Sequence, residues 1–206
     1  MKIAIIHDWL TGMRGGEKCL EVFCRLLPGA DLFTLVHATG SVSPAIEKMR
    51  PNVSFLQYLP FAKEKYRYYL PLMPLAAELL DLREYDFILS SSHCVAKGVL
   101  KKSGATHLSY CYTPMRYIWD QYDQYFGGEN SGSVASKVMP HLVPILRRWD
   151  VHSSRRVDQF IAISKHVKKR IQKYYNRDAK VIYPPVDTNF YSPTGEKPQN
   201  FFLMVS

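Results

Sequence analysis

The chain is short of the features that mark several large functional classes. Its four cysteines (Cys19, Cys24, Cys94 and Cys111) include no C-x-x-C pair and suggest no disulfide framework. The expectation is buried, reduced thiols in a cytosolic protein. Long hydrophobic runs are absent too. The opening Ile3-Ala4-Ile5-Ile6 stops at His7-Asp8, too short for a signal-peptide core, and nothing later is long enough to span a bilayer. Any meeting with a membrane is therefore expected at its cytoplasmic surface. No G-x-G-x-x-G follows a strand, which counts against an NAD-type enzyme. No G-x-S-x-G elbow supports Ser-His-Asp hydrolysis. The seven histidines do not cluster at ligand spacings and no D-x-D pair ends a strand, so no metal site is expected. Internal repeats and low-complexity tracts are missing as well.

What remains is a globular chain of 206 residues, 47% hydrophobic and 22% charged, long enough to bury a core without a metal or disulfide staple. Its net charge of +9 is uneven, because residues 141–180 hold eleven Lys/Arg against three Asp/Glu. Such a segment suits anionic lipid, nucleic acid or a phosphorylated substrate, and charge alone does not choose among them.

Short apolar runs at 2–6, 31–36, 52–56, 85–90, 106–112, 159–164 and 180–183 read as strands. Several are continuously apolar, as a parallel sheet buried on both faces requires. Helical stretches fall between them at 16–27, 43–49, 94–101, 137–156 and 165–175. Residues 59–82 read as helix broken at Pro71 and Pro74. Tyr66, Tyr68, Tyr69 and Leu70 form an aromatic cluster there, read mainly as packing and secondarily as a surface for lipid or a partner. The rhythm predicts a doubly wound α/β domain with a Rossmann-like parallel sheet and helices on both faces.

Four strand-end motifs could carry chemistry. The first is His7-Asp8-Trp9-Leu10-Thr11-Gly12-Met13-Arg14-Gly15-Gly16-Glu17-Lys18. Gly15 and Gly16 at a helix start let backbone N–H groups approach a phosphate, and Arg14 could add a charged contact. A plain strand-to-helix turn explains the glycines equally well, and Glu17 opposes a tightly held phosphate. The second motif, Ser90-Ser91-Ser92-His93-Cys94-Val95-Ala96-Lys97-Gly98, puts His93 beyond a strand end, where open α/β sheets bind ligands, although a lone histidine is more often a structural hydrogen-bonding residue. The third, Tyr110-Cys111-Tyr112-Thr113-Pro114-Met115-Arg116-Tyr117-Ile118-Trp119-Asp120, crowds aromatic faces beside hydrogen-bonding groups, which suits sugars as well as simple packing. The fourth runs from Ser164 to Tyr175 and sets an apolar face against Lys and Arg.

In this order the four motifs resemble glycosyltransferase family 4, retaining enzymes of the GT-B fold. The resemblance covers the whole chain and lies nearest to bacterial mannosyltransferase-like members of polysaccharide and O-antigen pathways. It implies transfer of a sugar from a nucleotide sugar to a saccharide or lipid-linked acceptor, without a metal or other cofactor. By position, Arg14, Gly15 and Gly16 fall on the loop that meets the donor diphosphate, and His93 lies near the transferred sugar in a positioning or electrostatic role. Asp8, Trp9, Tyr112, Thr113, Arg116 and Trp119 fall on the acceptor side. Ser164 and Asp187 match the cleft and domain crossover.

The resemblance also implies a division of the chain. Residues 1–186 would form the acceptor-side domain, 187–200 a linker, and the apolar 201–206 the first strand of a donor-binding domain. The chain alone is then expected to be inactive. Its expected place is cytoplasmic, or peripheral on the inner face of the membrane through 141–180, with no nucleic-acid partner. The alternative, from another class, is a non-catalytic binding module for anionic lipid or nucleic acid, resting on the same basic segment.

Overall fold

The computed structural model describes residues 1–120, 133–193, 195, 200–202 and 204, with the side chains of 133–138 outside that description. Seven parallel strands form one sheet in the order β3-β2-β1-β4-β5-β6-β7. They are β1 (Ile3–His7), β2 (Asp31–Thr34), β3 (Asn52–Val53), β4 (Phe87–Ser92), β5 (Thr106–Cys111), β6 (Gln159–Ala162) and β7 (Ala179–Val181). Alternate residues of β1 enter different cores. Ala4 and Ile6 join the cluster on one face, while Ile5 joins the cluster on the other. This is the two-sided burial that the continuous apolar runs require.

Helices α1 (Gly15–Leu26) and α2 (Pro44–Glu47) cover the Ile5 face. The opposite face carries α3 (Ala62–Lys65), a 3₁₀ segment (Tyr66–Leu72), α4 (Met73–Glu78) and α5 (Ser133–Ser154). Helix α6 (Lys165–Tyr175) packs over β6 and β7 and ends on Asn176 in the left-handed conformation, a side chain that tolerates it. Pro71 lies inside the 3₁₀ turn and Pro74 in the first turn of α4, so the break falls where the prolines forbid an α ladder. Pro140 and Pro144 are tolerated inside α5 because both stand on its exposed side, where water meets the carbonyls they leave unpaired.

Three expectations need correction. Residues 52–56 form a strand only at Asn52–Val53, because the Ser54 hydroxyl accepts the Leu56 N–H and starts a 3₁₀ turn, Phe55–Tyr58. Strand β4 lies two residues later than expected, which buries Ser91 and Ser92 in the sheet and brings His93 to its end. Residues 94–101 are not an α-helix but a single 3₁₀ turn at Ala96–Gly98. The backbone N–H groups leading into that turn belong to a distant carboxylate. At Gly98 the chain runs so close to Trp149 that an added Cβ would lie 2.4 Å from its ring. All four cysteines are buried and free, as expected.

Candidate functional site

Strand β1 has β2 on one side and β4 on the other, so the chain reverses its winding between β1 and β4. A crevice opens beyond the carboxyl ends of strands at such a switch point. The residues that follow these two strands, Asp8 and His93, meet there.

Asp8 is fully buried, and its carboxylate accepts four successive backbone N–H groups. His93 and Cys94 donate to Oδ2 at 2.7 and 3.0 Å, and Val95 and Ala96 to Oδ1 at 2.6 and 2.7 Å. His93 Nδ1 stands 3.0 Å from the same Oδ2. Burial pushes the Asp8 carboxyl up, but the His93 imidazole, His7 and the donated N–H groups outweigh it and hold it well below the usual carboxylate range. Asp8 thus acts as a helix cap supplied from another strand. It fixes the His93 loop and commits Nδ1, which leaves Nε2 for the crevice. The His93 ring also packs edge-on against Trp9 at 4.5 Å, and Trp9 lies against Tyr66 at 4.8 Å.

A second network joins β1, β4 and β5 to the start of α1. The Tyr112 hydroxyl donates to the Gly16 carbonyl at 2.9 Å and lies 2.9 Å from Ser91 Oγ, which in turn lies 2.9 Å from His7 Nδ1. A Cβ at Gly16 would meet His7 and Tyr112 at 3.6–3.8 Å, an ordinary contact, so space alone does not require glycine there. Glu17 is buried, with Oε2 accepting the Arg14 N–H at 3.1 Å and Oε1 lying 3.8 Å from His7 Nε2. Its carboxylate thus caps the start of α1 from within, as the second half of a capping box, and keeps negative charge at this helix start. No described residue takes the N–H of Gly15 or Gly16, and the helix dipole favours negative charge there. A hydrogen bond with Tyr66 raises the Arg14 pKa further.

The structure thus brings Asp8, Trp9, Gly16, His93 and Tyr112 together beyond the ends of β1, β4 and β5, with Asp8 and Trp9 buried and Arg14 and Gly15 exposed beside them. Other candidates stand apart. Thr113 is buried, with its hydroxyl donating to the Pro114 carbonyl and receiving an Arg170 N–H. Arg116 is half-buried. Trp119 donates through Nε1 to Asp150 at 2.8 Å and stacks on Tyr174 at 4.6 Å. Ser164 caps α6 by accepting the Val167 N–H. Asp187 is exposed and holds a turn by accepting from Asn189 and Phe190. Phe201, Phe202 and Met204 are exposed and join no strand of the sheet.

Sequence reasoning missed a buried ion pair, Lys97 with Asp150 at 2.9 Å, both essentially without solvent contact. Lys97 also donates to the Asp150 carbonyl and to Ser153 Oγ, each at 2.9 Å, while Asp150 accepts from Trp119 and Tyr175. The signal was present, since Asp150 is the single acidic residue of α5. The pair bolts the loop after His93 to α5. Thiol chemistry has no support here, as burial pushes Cys111 up to about 12 and Cys24 up to about 11. Among the described residues, no three His, Cys, Asp or Glu side chains stand together as a metal-binding group.

No curated protein matches the chain. The family model described as Glycosyltransferase Family 4 matches residues 13–190, which takes in the glycine pair at the start of α1, His93 and the Tyr112 loop. With its seven-stranded parallel sheet and a winding that reverses between β1 and β4, the chain belongs to Glycosyltransferase Family 4.

Proposed function

We propose that the chain forms the acceptor side of a retaining, metal-independent glycosyltransferase that takes a hexose, with mannose the leading candidate, from a nucleotide sugar. The acceptor is a saccharide or a lipid-linked saccharide of polysaccharide or O-antigen assembly, worked on at the cytoplasmic face of a membrane. The observation that carries this reading is the Asp8–His93 pair, 3.0 Å apart, at the strand ends to which the start of α1 is tied through Gly16 and Tyr112. In this reading Gly15, Gly16 and Arg14 meet the donor diphosphate, and electrostatic stabilisation of that leaving group supplies much of the rate. His93 orients the transferred sugar through Nε2, Asp8 fixes the ring, and the buried Trp9 acts on the acceptor side by packing behind His93. Tyr112 acts through Gly16 by holding the first turn of α1. Two-domain organisation belongs to the same proposal, with 1–186 as the acceptor side, 187–200 as linker and 201–206 opening the donor side. Ser164 and Asp187 then line the crossover.

The test is transfer of radiolabelled sugar from a panel of nucleotide sugars to saccharide and lipid-linked acceptors. It is run with the 206-residue chain and with any longer polypeptide its gene encodes. The expected result is turnover by the longer form alone, reduced by His93→Ala about a hundredfold or more, as for loss of a positioned transition-state contact. Normal turnover by that variant would remove His93 from the site.

A further inference from the structure

The basic segment 141–180 is less uniform in space than in sequence. Five of its cations are engaged within the fold. Arg147 donates to the Ile118 carbonyl, Arg156 pairs with Glu78, Lys168 with Asp178 and Arg170 with Asp120, and Arg177 donates to the carbonyls of Ser154, Val157 and Asp158. Arg148 and Arg155 have no such partner among the described residues. With Arg147 and His152 they surround an open hollow of about 450 Å³ whose floor includes Trp119. Among the described residues no carboxylate lines it, and that of Asp150, the one acidic residue on α5, is buried against Lys97.

The hollow belongs to a wider face. Positions 145, 148 and 152 recur at helical spacing along one exposed stripe of α5, with Ile145 60% exposed, and the exposed Arg155 follows in the turn just past its end. Helix α4 lies beside α5 in the same layer, joined at Glu78, which accepts from Trp149 at 2.8 Å and pairs with Arg156 at 2.6 Å. Next to that seam Leu72, Leu75 and Leu79 are 41%, 50% and 64% exposed. Aliphatic side chains beside arginines that have no partner among the described residues match the two chemistries of an anionic bilayer surface, an acyl boundary and a layer of phosphates. A small free anion fits less well, because the hollow is open and offers long side chains rather than converging backbone N–H groups.

We propose that the α4–α5 face docks on an anionic lipid bilayer, with a headgroup phosphate seated among Arg147, Arg148, His152 and Arg155. This deepens the lipid-linked-acceptor reading and rests on it for its purpose, but its test uses neither donor nor acceptor. Failure of one is therefore distinguishable from failure of the other.

The experiment is co-sedimentation of the chain with vesicles of phosphatidylcholine alone or mixed with phosphatidylglycerol, across a salt series. Binding is expected only to the mixed vesicles, falling as salt rises. Arg148→Glu/Arg155→Glu should weaken it about tenfold or more, whereas Leu75→Ser/Leu79→Ser should remove the part that persists at high salt. Lys18→Glu/Arg25→Glu makes the same charge change on α1, on the opposite face of the sheet, and should shift binding by no more than about twofold. Equal losses from both charge reversals would reduce the effect to net charge and overturn the proposal. Absence of any preference for phosphatidylglycerol would overturn it too. So would competition by inorganic phosphate beyond its ionic strength, or tighter binding to an oligonucleotide than to vesicles. Circular dichroism of each variant separates loss of binding from loss of fold.

Discussion

The carboxylate of Asp8 and the imidazole of His93 stand 3.0 Å apart across 85 residues of chain, and the same carboxylate holds the backbone of the loop that carries the ring. One buried charge thus sets both the position and the hydrogen-bonding state of the proposed site histidine. Asp8→Asn keeps the shape but presents an amide N–H₂ to a nest of N–H donors. It is expected to cost about 3 kcal/mol of stability, read by urea unfolding, because a buried charge-assisted network loses its centre. In the proposed transferase assay the variant's kcat should fall more than its KM rises, since His93 is misplaced rather than removed.

The Lys97–Asp150 pair predicts a different pattern. Lys97→Met leaves a buried carboxylate without its cation and should cost about 3–5 kcal/mol. Adding Asp150→Asn should recover part of that loss, since neither charge is then orphaned. A double-mutant cycle in urea measures the coupling. Strict additivity would mean the two residues do not act as a pair.

Gly98 is set by space rather than by backbone conformation. A Cβ would meet Trp149 at 2.4 Å, and the indole is held by its bond to Glu78. Gly98→Ala should destabilise the chain by about 1–3 kcal/mol through overpacking. A lower urea midpoint with an altered tryptophan emission would report it, and an unchanged midpoint would count against the close approach.

His107 makes stability depend on pH. It is fully buried with Nε2 2.9 Å from Ser90 Oγ, and burial, helped by Lys101, lowers its pKa to about 3. The unfolded chain takes up this proton near the ordinary histidine value of about 6.5. Between those limits only the unfolded state is protonated, so stability should fall with pH by up to about 1.4 kcal/mol per unit. His107→Leu should flatten the curve between pH 6.5 and 4 while costing about 1–2 kcal/mol at neutral pH, where Ser90 loses its partner. Urea midpoints across that range provide the measurement. Asp8 adds loss of the same sign only at lower pH, through the carboxylate range.

Much of the architecture was legible along the chain. All seven described strands overlap runs that read as strands between helical stretches, several of them continuously apolar, because burial on both faces leaves that local mark. The stretch 94–101 read wrongly because its N–H groups answer to Asp8, a residue that no local window includes. The site was half legible. His93 and the glycine pair follow strands, where ligands gather, whereas Trp119 looked like a binding aromatic and is tied to Asp150 and Tyr174.

Composition and periodicity by themselves determined an α/β domain with a parallel sheet and named the strand ends where chemistry could lie. Only the tertiary structure decided which of those ends meet and which charges stay available. The deciding contacts join residues 84 to 96 positions apart: His7 with Ser91, Asp8 with His93, and Gly16 with Tyr112. Hydrophobic period reports the environment of one segment, and partners at that separation are chosen by strand order, which the period does not encode.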